Sequence, residues 1–335
     1  MPDSTQDQIA QDEISNGHQV AEPLDTAGTG LNTGDGRMAE IRLAAEGLNV
    51  EARSQFRMGV ERFIHHKVAL FGLAIFVIML LLSVIGPHVW QYNYTTITNQ
   101  FGTGPSAQHP FGTDLIGHDM FAQVLVATQT SLQTALLVAV IATLIGTIIG
   151  ALAGYYGKWA DSLLMRFTDL ILVVPLIAIL LVLSNKLSKL AGSWLWIAIL
   201  IAALIWTYLA RLVRGAFLSL REREFVEAAH AIGATDGRII FRHMIPNAMG
   251  PIVVNATLTV ANAMLIESVL SFLGLGIQPP EVSLGSLINS GQQDATVLWW
   301  LFYIPAGFLI LAILSVNFIG DGLRDALDPV QKVRD

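Results

Sequence analysis

The chain has 335 residues, of which 53% are hydrophobic and only 13% charged, a balance that excludes a water-soluble globular protein of this length. It has no cysteine, which excludes structural disulfides and thiolate metal sites. Residues 1–52 hold ten acidic residues against Arg37 and Arg42, a net −8 that leaves about +1 for the rest of a chain whose total is −7, so nothing points to nucleic acid or an acidic substrate.

That leading tail, rich in Gly, Asp, Asn and Thr, buries too little apolar surface to offset its ordering entropy and is expected to be disordered. It lacks an apolar core of its own, so the first span is expected to be an uncleaved anchor rather than a signal peptide. Over residues 53–67, Phe56, Val60, Phe63 and Ile64 share a helical stripe while Arg53, Arg57 and Arg62 lie elsewhere. This pattern fits an interfacial amphipathic helix at the headgroup layer, or a downward extension of the first transmembrane helix.

Six apolar segments are long enough to cross about 30 Å of hydrocarbon at 1.5 Å per residue. They are predicted near 68–86, 132–154, 165–184, 193–213, 248–272 and 298–320. The third is the shortest, bracketed by Asp169 and Lys186, and the charge asymmetry needs it. With six crossings, 17 of the 19 lysines and arginines fall on one side and only Lys186 and Lys189 on the other. The positive-inside rule then puts both termini in the cytoplasm.

The loop 87–131 has no lysine or arginine but carries His88, His109, His118, Asp114 and Asp119. Their spacing matches no metal-ligand pattern, and Asp114 and Asp119 are expected to orient turns and cap helices. In the second span, Gly146, Gly150 and Gly154 recur every fourth residue and permit close helix contact, including at a subunit interface. Asp169 follows Arg166 by three residues, which predicts a local ion pair.

A polar island runs from Arg221 to Pro246 between the fourth and fifth spans. Phe225, Ala228, Ala229 and Ile232 recur at helical spacing and are expected on one face of a short helix that Gly233 ends. Thr235 can cap a following segment, whose positive end Asp236 favours. Farther on, Glu267 lies about 31 Å of helix beyond Pro246, which predicts an outer-mouth or helix-packing position, with contact to a substrate amine as the sharper alternative.

Glu227-Ala228-Ala229, three residues, Gly233, nine residues, then His243-Met244-Ile245-Pro246 resembles the signature of ABC importer permeases. His109-Pro110-Phe111-Gly112-Thr113-Asp114, Ser271-Phe272-Leu273-Gly274-Leu275-Gly276 and Gly320 through Pro329 are similar, in the same order, to the dipeptide/oligopeptide permeases, specifically to the second of their two permease subunits. The resemblance covers residues 53–329. It implies an all-α type I importer permease (MetI-like) domain over 68–329, with a cytoplasmic coupling loop at 214–247 and a short tail at 330–335. It further implies a multi-pass protein of the bacterial inner membrane, paired with a homologous permease, two ABC ATPase subunits and an external substrate-binding protein. Phe225, Glu227, Ala228, Ala229, Ile232, Gly233, Ile245 and Pro246 would then form the ATPase-coupling surface. ATP and Mg would reside in the ATPase subunits and no cofactor in this chain. The family's commonest cargo is peptide, while nickel, glutathione and other small-solute importers share the scaffold. His118, Gln123 and Gln129 stand where relatives commonly have arginine.

The chain has no Gly-x-x-x-x-Gly-Lys-Ser/Thr phosphate loop, so it is not expected to hydrolyse ATP. An intramembrane hydrolase would need converging nucleophile and base or metal ligands; there is no His-Glu-x-x-His and no histidine in any span core. A secondary carrier would need ionisable groups near the midplane of broken helices, and the sequence offers no such pattern.

Overall fold

The computed structural model describes residues 55–186 and 193–327. The acidic tail 1–52 and the tail 330–335 lie outside the described residues. Helix α1 (Gln55–His65) is separated from α2 (Lys67–Val89) by His66, whose extended backbone ends one helix while its ring Nδ1 accepts from Ala69 N at 3.1 Å to start the next. Next come α3 (Met120–Tyr156), α4 (Lys158–Val173), α5 (Leu176–Lys186), α6 (Trp194–Arg221) and α7 (Glu224–Ala231). A single turn at Asp236–Arg238 and a π-helical turn at Ile239–Met244 lead into α8 (Ile245–Phe272), followed by α9 (Leu284–Gly291) and α10 (Trp299–Leu327).

Among the described residues, five helical stretches are long and apolar enough to cross a bilayer unbroken: α2, α3, α6, Asp236–Phe272 and α10. The third predicted span is different. It is the pair α4 and α5, bent by 81° at Val174 and Pro175. The cause is local: the proline ring drives the preceding residue out of the α region, and Val174 sits at φ −80 and ψ 130.

Contacts between helices fix their directions. A side chain on Gly146 would place its Cβ 2.8 Å from Trp206 O, one on Gly154 would place it 2.8 Å from Arg214 O, and Gly150 faces the Ala210 backbone between them. The pairing advances in the same direction on both helices, so α3 and α6 are parallel and the chain must return between them through α4 and α5. The return is complete: Asp161 of α4 pairs with Arg214 near the C-terminus of α6, and Ser184 of α5 donates to Leu275 O beyond the far end of α8. The small-residue stripe is thus spent inside the chain, against α6, where hydrocarbon gives no drive of its own and close packing must supply it.

Both ends of the described chain meet at one end of the bundle. His66 lies 3.3 Å from Asp325, a Cβ on Gly59 would sit 3.4 Å from Leu327, and one on Gly250 would sit 3.8 Å from Leu327. The island 222–244 belongs to this same end. The loops 90–119 and 273–298 occupy the opposite one. The main core joins α3, α6 and α8 through Leu132, Val138, Ile197, Ile201, Trp206, Val260 and Met264.

Candidate functional site

The island has two faces. Val226 and Ala229, one helical turn apart on α7, are 1% and 5% exposed and pack with Phe217, Ile239, Ile240 and Met244. Phe225, Glu227, Ala228 and Ile232 face outward, Ile232 at 85% exposure. The stripe expected from the sequence therefore divides: Ala229 turns into the bundle, with Val226 as its partner, and the other three stay out. Bundle packing decides this, because Val226 fills the core where the smaller Ala228 would leave a void.

Gly233 closes α7 at φ +79 with open space around its Cα, so the left-handed backbone and not crowding requires glycine there. Thr235 stands at the start of the next segment without a side-chain capping bond. The π-turn delivers the chain to Ile245, whose N–H donates to Ile240 O, and Pro246 follows at the second position of α8. A proline lacks the donor and its ring crowds the carbonyl four residues back, and the wider turn accommodates both defects.

Tyr155 ties the island to the span helices. Its hydroxyl donates to Asp236 Oδ1 at 2.8 Å, its ring stacks with His230 at 6.3 Å between centroids, and its carbonyl accepts from Arg221 Nη1 at 3.2 Å. It is 7% exposed and touches the segments before, within and after α7. Asp169 does not pair with Arg166 as expected; Arg211 Nη2, on the neighbouring α6, reaches its Oδ1 at 2.5 Å. The packing of α4 on α6 supplies a closer partner than the one on its own helix.

Three polar clusters order the opposite end. Glu267 is 0% exposed, with Oε2 accepting from Ser131 Oγ at 3.0 Å and Oε1 from Ser271 Oγ at 2.7 Å. Ser131 and Ser271 in turn accept from Leu284 N and Ile277 N, so the carboxylate ties α8 and α3 to the loop after α8 and to the first residue of α9. In this arrangement Glu267 is inside the packing and not at an open mouth. Asp119 is 0% exposed; it caps α3 by accepting from Ala122 N at 2.7 Å, accepts from Trp90 Nε1 at 3.0 Å, and lies 2.6 Å from His109 Nδ1. Asp114 Oδ1 accepts from the amides of Ile116, Gly117 and His118, and its Oδ2 meets His118 Nδ1 at 2.8 Å and Gln123 Nε2 at 3.5 Å. Asp114, His118 and Gln123 line a cavity of about 730 Å³ whose other wall includes Glu281, Ser286 and Asn289. Two of the three positions that depart from arginine thus gather on one carboxylate.

Sequence reasoning missed Tyr155, Val226, Ser131 and Trp90. For Tyr155 a signal existed: an aromatic with a polar tip directly follows the last glycine of the stripe, where a buried helix emerges toward a polar loop.

Residues 146–333 match the family model described as the binding-protein-dependent transport system inner membrane component, and residues 54–110 match the N-terminal transmembrane domain of oligopeptide transport permease C. The chain belongs to the permease family of binding-protein-dependent ABC transport systems. This permease is 39% identical over 283 residues to the oligopeptide transport system permease protein OppC of Mycobacterium tuberculosis, covering 84% of this chain and 97% of the relative. It is 37% identical over 289 residues to the protein of the same name from Bacillus subtilis, covering 85% and 93%. An inward-facing structure of the MetNI methionine ABC transporter superposes with a TM-score of 0.50 at 18% identity, over 62% of this chain and 98% of that one, a likeness of fold alone. The permease is accordingly a non-catalytic, multi-pass membrane subunit with the MetI-like fold expected from its sequence.

Proposed function

We propose that this permease subunit forms half of a solute pathway with a homologous permease and seats the outward face of α7 on an ATP-hydrolysing subunit. ATP and Mg²⁺ belong to that ATPase subunit. Di- or oligopeptide, delivered by an external binding protein, is the cargo. The observation that carries this reading is the division of the island: Val226 and Ala229 anchor it, while Phe225 and Ile232 stand 39% and 85% exposed beside Glu227 and Ala228. Ile232 is a large aliphatic side chain held out by a fixed turn, and burial against a partner is worth about 1.5–3 kcal/mol for such a residue. Ala228 leaves room for close approach, and Glu227 offers a charge-assisted contact at the rim.

The island end faces the cytoplasm in this reading, because Lys67, Lys158, Arg211, Arg214, Arg221, Arg238 and Arg242 gather there. The names of the oligopeptide relatives support peptide as the cargo.

The test is co-purification of the ATPase subunits with Ile232→Asp and Gly233→Trp variants of the permease, followed by uptake in reconstituted vesicles. Both variants are expected to reach the membrane in normal amount while recovering little ATPase. Full recovery with normal uptake would sink the reading.

A further inference from the structure

Asp114 sets which atoms face the cavity at the end opposite the island. Its Oδ2 can only accept, so it holds His118 by the Nδ1–H at 2.8 Å and Gln123 by the Nε2 amide group at 3.5 Å. Those contacts fix the tautomer of one side chain and the flip of the other. What each has left to offer is an acceptor: Nε2 of the neutral His118 ring and Oε1 of Gln123, both on residues that line the cavity. Gln123 is only 7% exposed, and among the described residues nothing donates to its Oε1. A buried amide oxygen without a donor is costly, so this position favours a ligand that supplies one.

Glu281 adds charge. It lines the other wall, where its Oε2 accepts from Trp194 N at 2.8 Å and its second oxygen has no donor among the described residues. No lysine or arginine lines the cavity. None occurs in segments 87–131 and 273–298, which supply most of that lining and carry Asp114, Asp119, Glu281 and Asp294. Met120, Ile277, Leu287 and Leu301 contribute buried apolar wall. At about 730 Å³ the space lies within the range of small-molecule sites, about 300–1,000 Å³. A cavity with unfilled acceptors and negative charge suits a ligand that brings N–H donors and positive charge together.

We infer that this cavity binds a primary ammonium group, held by Glu281, Gln123 Oε1 and His118 Nε2. The inference rests on the importer reading for one source of that group, the amino terminus of a peptide; a free alkylamine carries the same chemistry. Binding in the cavity needs neither ATP hydrolysis nor uptake, so either reading can fail alone.

The chain has no cysteine, so a single reporter thiol has no background from this subunit. Ser290→Cys, at an exposed position lining the cavity, is placed in the complete complex in lipid nanodiscs without nucleotide and labelled with a sulfonated methanethiosulfonate. Ala107→Cys, exposed and outside the cavity, is the control. Tri-alanine at about ten times its half-protecting concentration is expected to slow labelling of Ser290→Cys about tenfold and to leave Ala107→Cys unchanged. N-acetyl-tri-alanine, which lacks the ammonium, is expected to protect neither. Propylamine separates the sources: whichever of it and tri-alanine protects names the amine that the cavity accepts. Glu281→Gln keeps an acceptor for Trp194 N while removing the charge, and His118→Arg sets a guanidinium against Asp114. Each is expected to raise the half-protecting concentration about tenfold. Equal protection by N-acetyl-tri-alanine, protection by neither amine, or full protection surviving in both variants overturns the inference. Thr95→Cys, exposed and lining the same cavity, repeats the measurement if Ser290→Cys impairs folding.

Discussion

The hydroxyl of Tyr155, at the last turn of α3, donates to Asp236 Oδ1 at 2.8 Å, across 81 residues of sequence. Tyr155→Phe keeps the ring and its stacking on His230 but removes the donor. A net loss of about 1 kcal/mol is expected, concentrated in the island and small for the bundle. Hydrogen exchange should accelerate about fivefold across 236–244 with the spans unchanged. Asp236→Asn retains an acceptor and is expected to restore most of the protection that Asp236→Ala loses.

Gly150→Leu should separate α3 from α6. Its side chain would be driven into the Ala210 backbone and Val213, where neither neighbour can yield by a rotamer change. Overpacking of this kind costs about 1–3 kcal/mol or more, read as a lowered thermal midpoint in detergent. Gly215→Leu, with open space around its Cα, is the matched control and should leave the midpoint unchanged.

Glu267 separates polarity from charge. Gln presents one acceptor and one donor to hydroxyls that can rotate, so Glu267→Gln should retain most of the stability. Glu267→Leu strands the hydroxyls of Ser131 and Ser271 at about 1–3 kcal/mol per buried unsatisfied group. The expected order of thermal midpoints is native, Gln, then Leu well below.

Asp119→Ala removes the acceptor for Ala122 N, Trp90 Nε1 and the His109 ring at once. The cap alone is worth about 1 kcal/mol, and the two further partners raise the loss. Asp119→Asn should recover the cap and the Trp90 contact only in part. Limited proteolysis of the loop 90–119 is the direct readout, with cleavage faster in Asp119→Ala than in Asp119→Asn.

The elements most legible in the sequence were those set by local rules. Charge-free runs mark the spans, the Glu227 to Pro246 spacing marks the island, and Gly233 occupies the positive-φ position that its place after α7 required. Pro175 was equally visible, yet a window of hydropathy averages across it, and the 81° bend emerged only from the backbone. The partners of charged groups were the least legible. Asp169 had Arg166 nearby in sequence, but helix packing brought Arg211, 42 residues away, closer. Glu267 and Ser131 are 136 residues apart, and no periodicity connects them. Which face of α7 turns inward was settled by the shape of the bundle, a property that no eight-residue segment carries by itself.

Helix α3 runs from Met120, behind its Asp119 cap, to Tyr156 without a proline or a break, roughly 55 Å of continuous helix. A strut that stiff has few ways to bend and many ways to tilt. Ser131 fastens it to Glu267 about three turns in from one end and Tyr155 fastens it to Asp236 at the other. A tilt of this helix therefore loads both fastenings together.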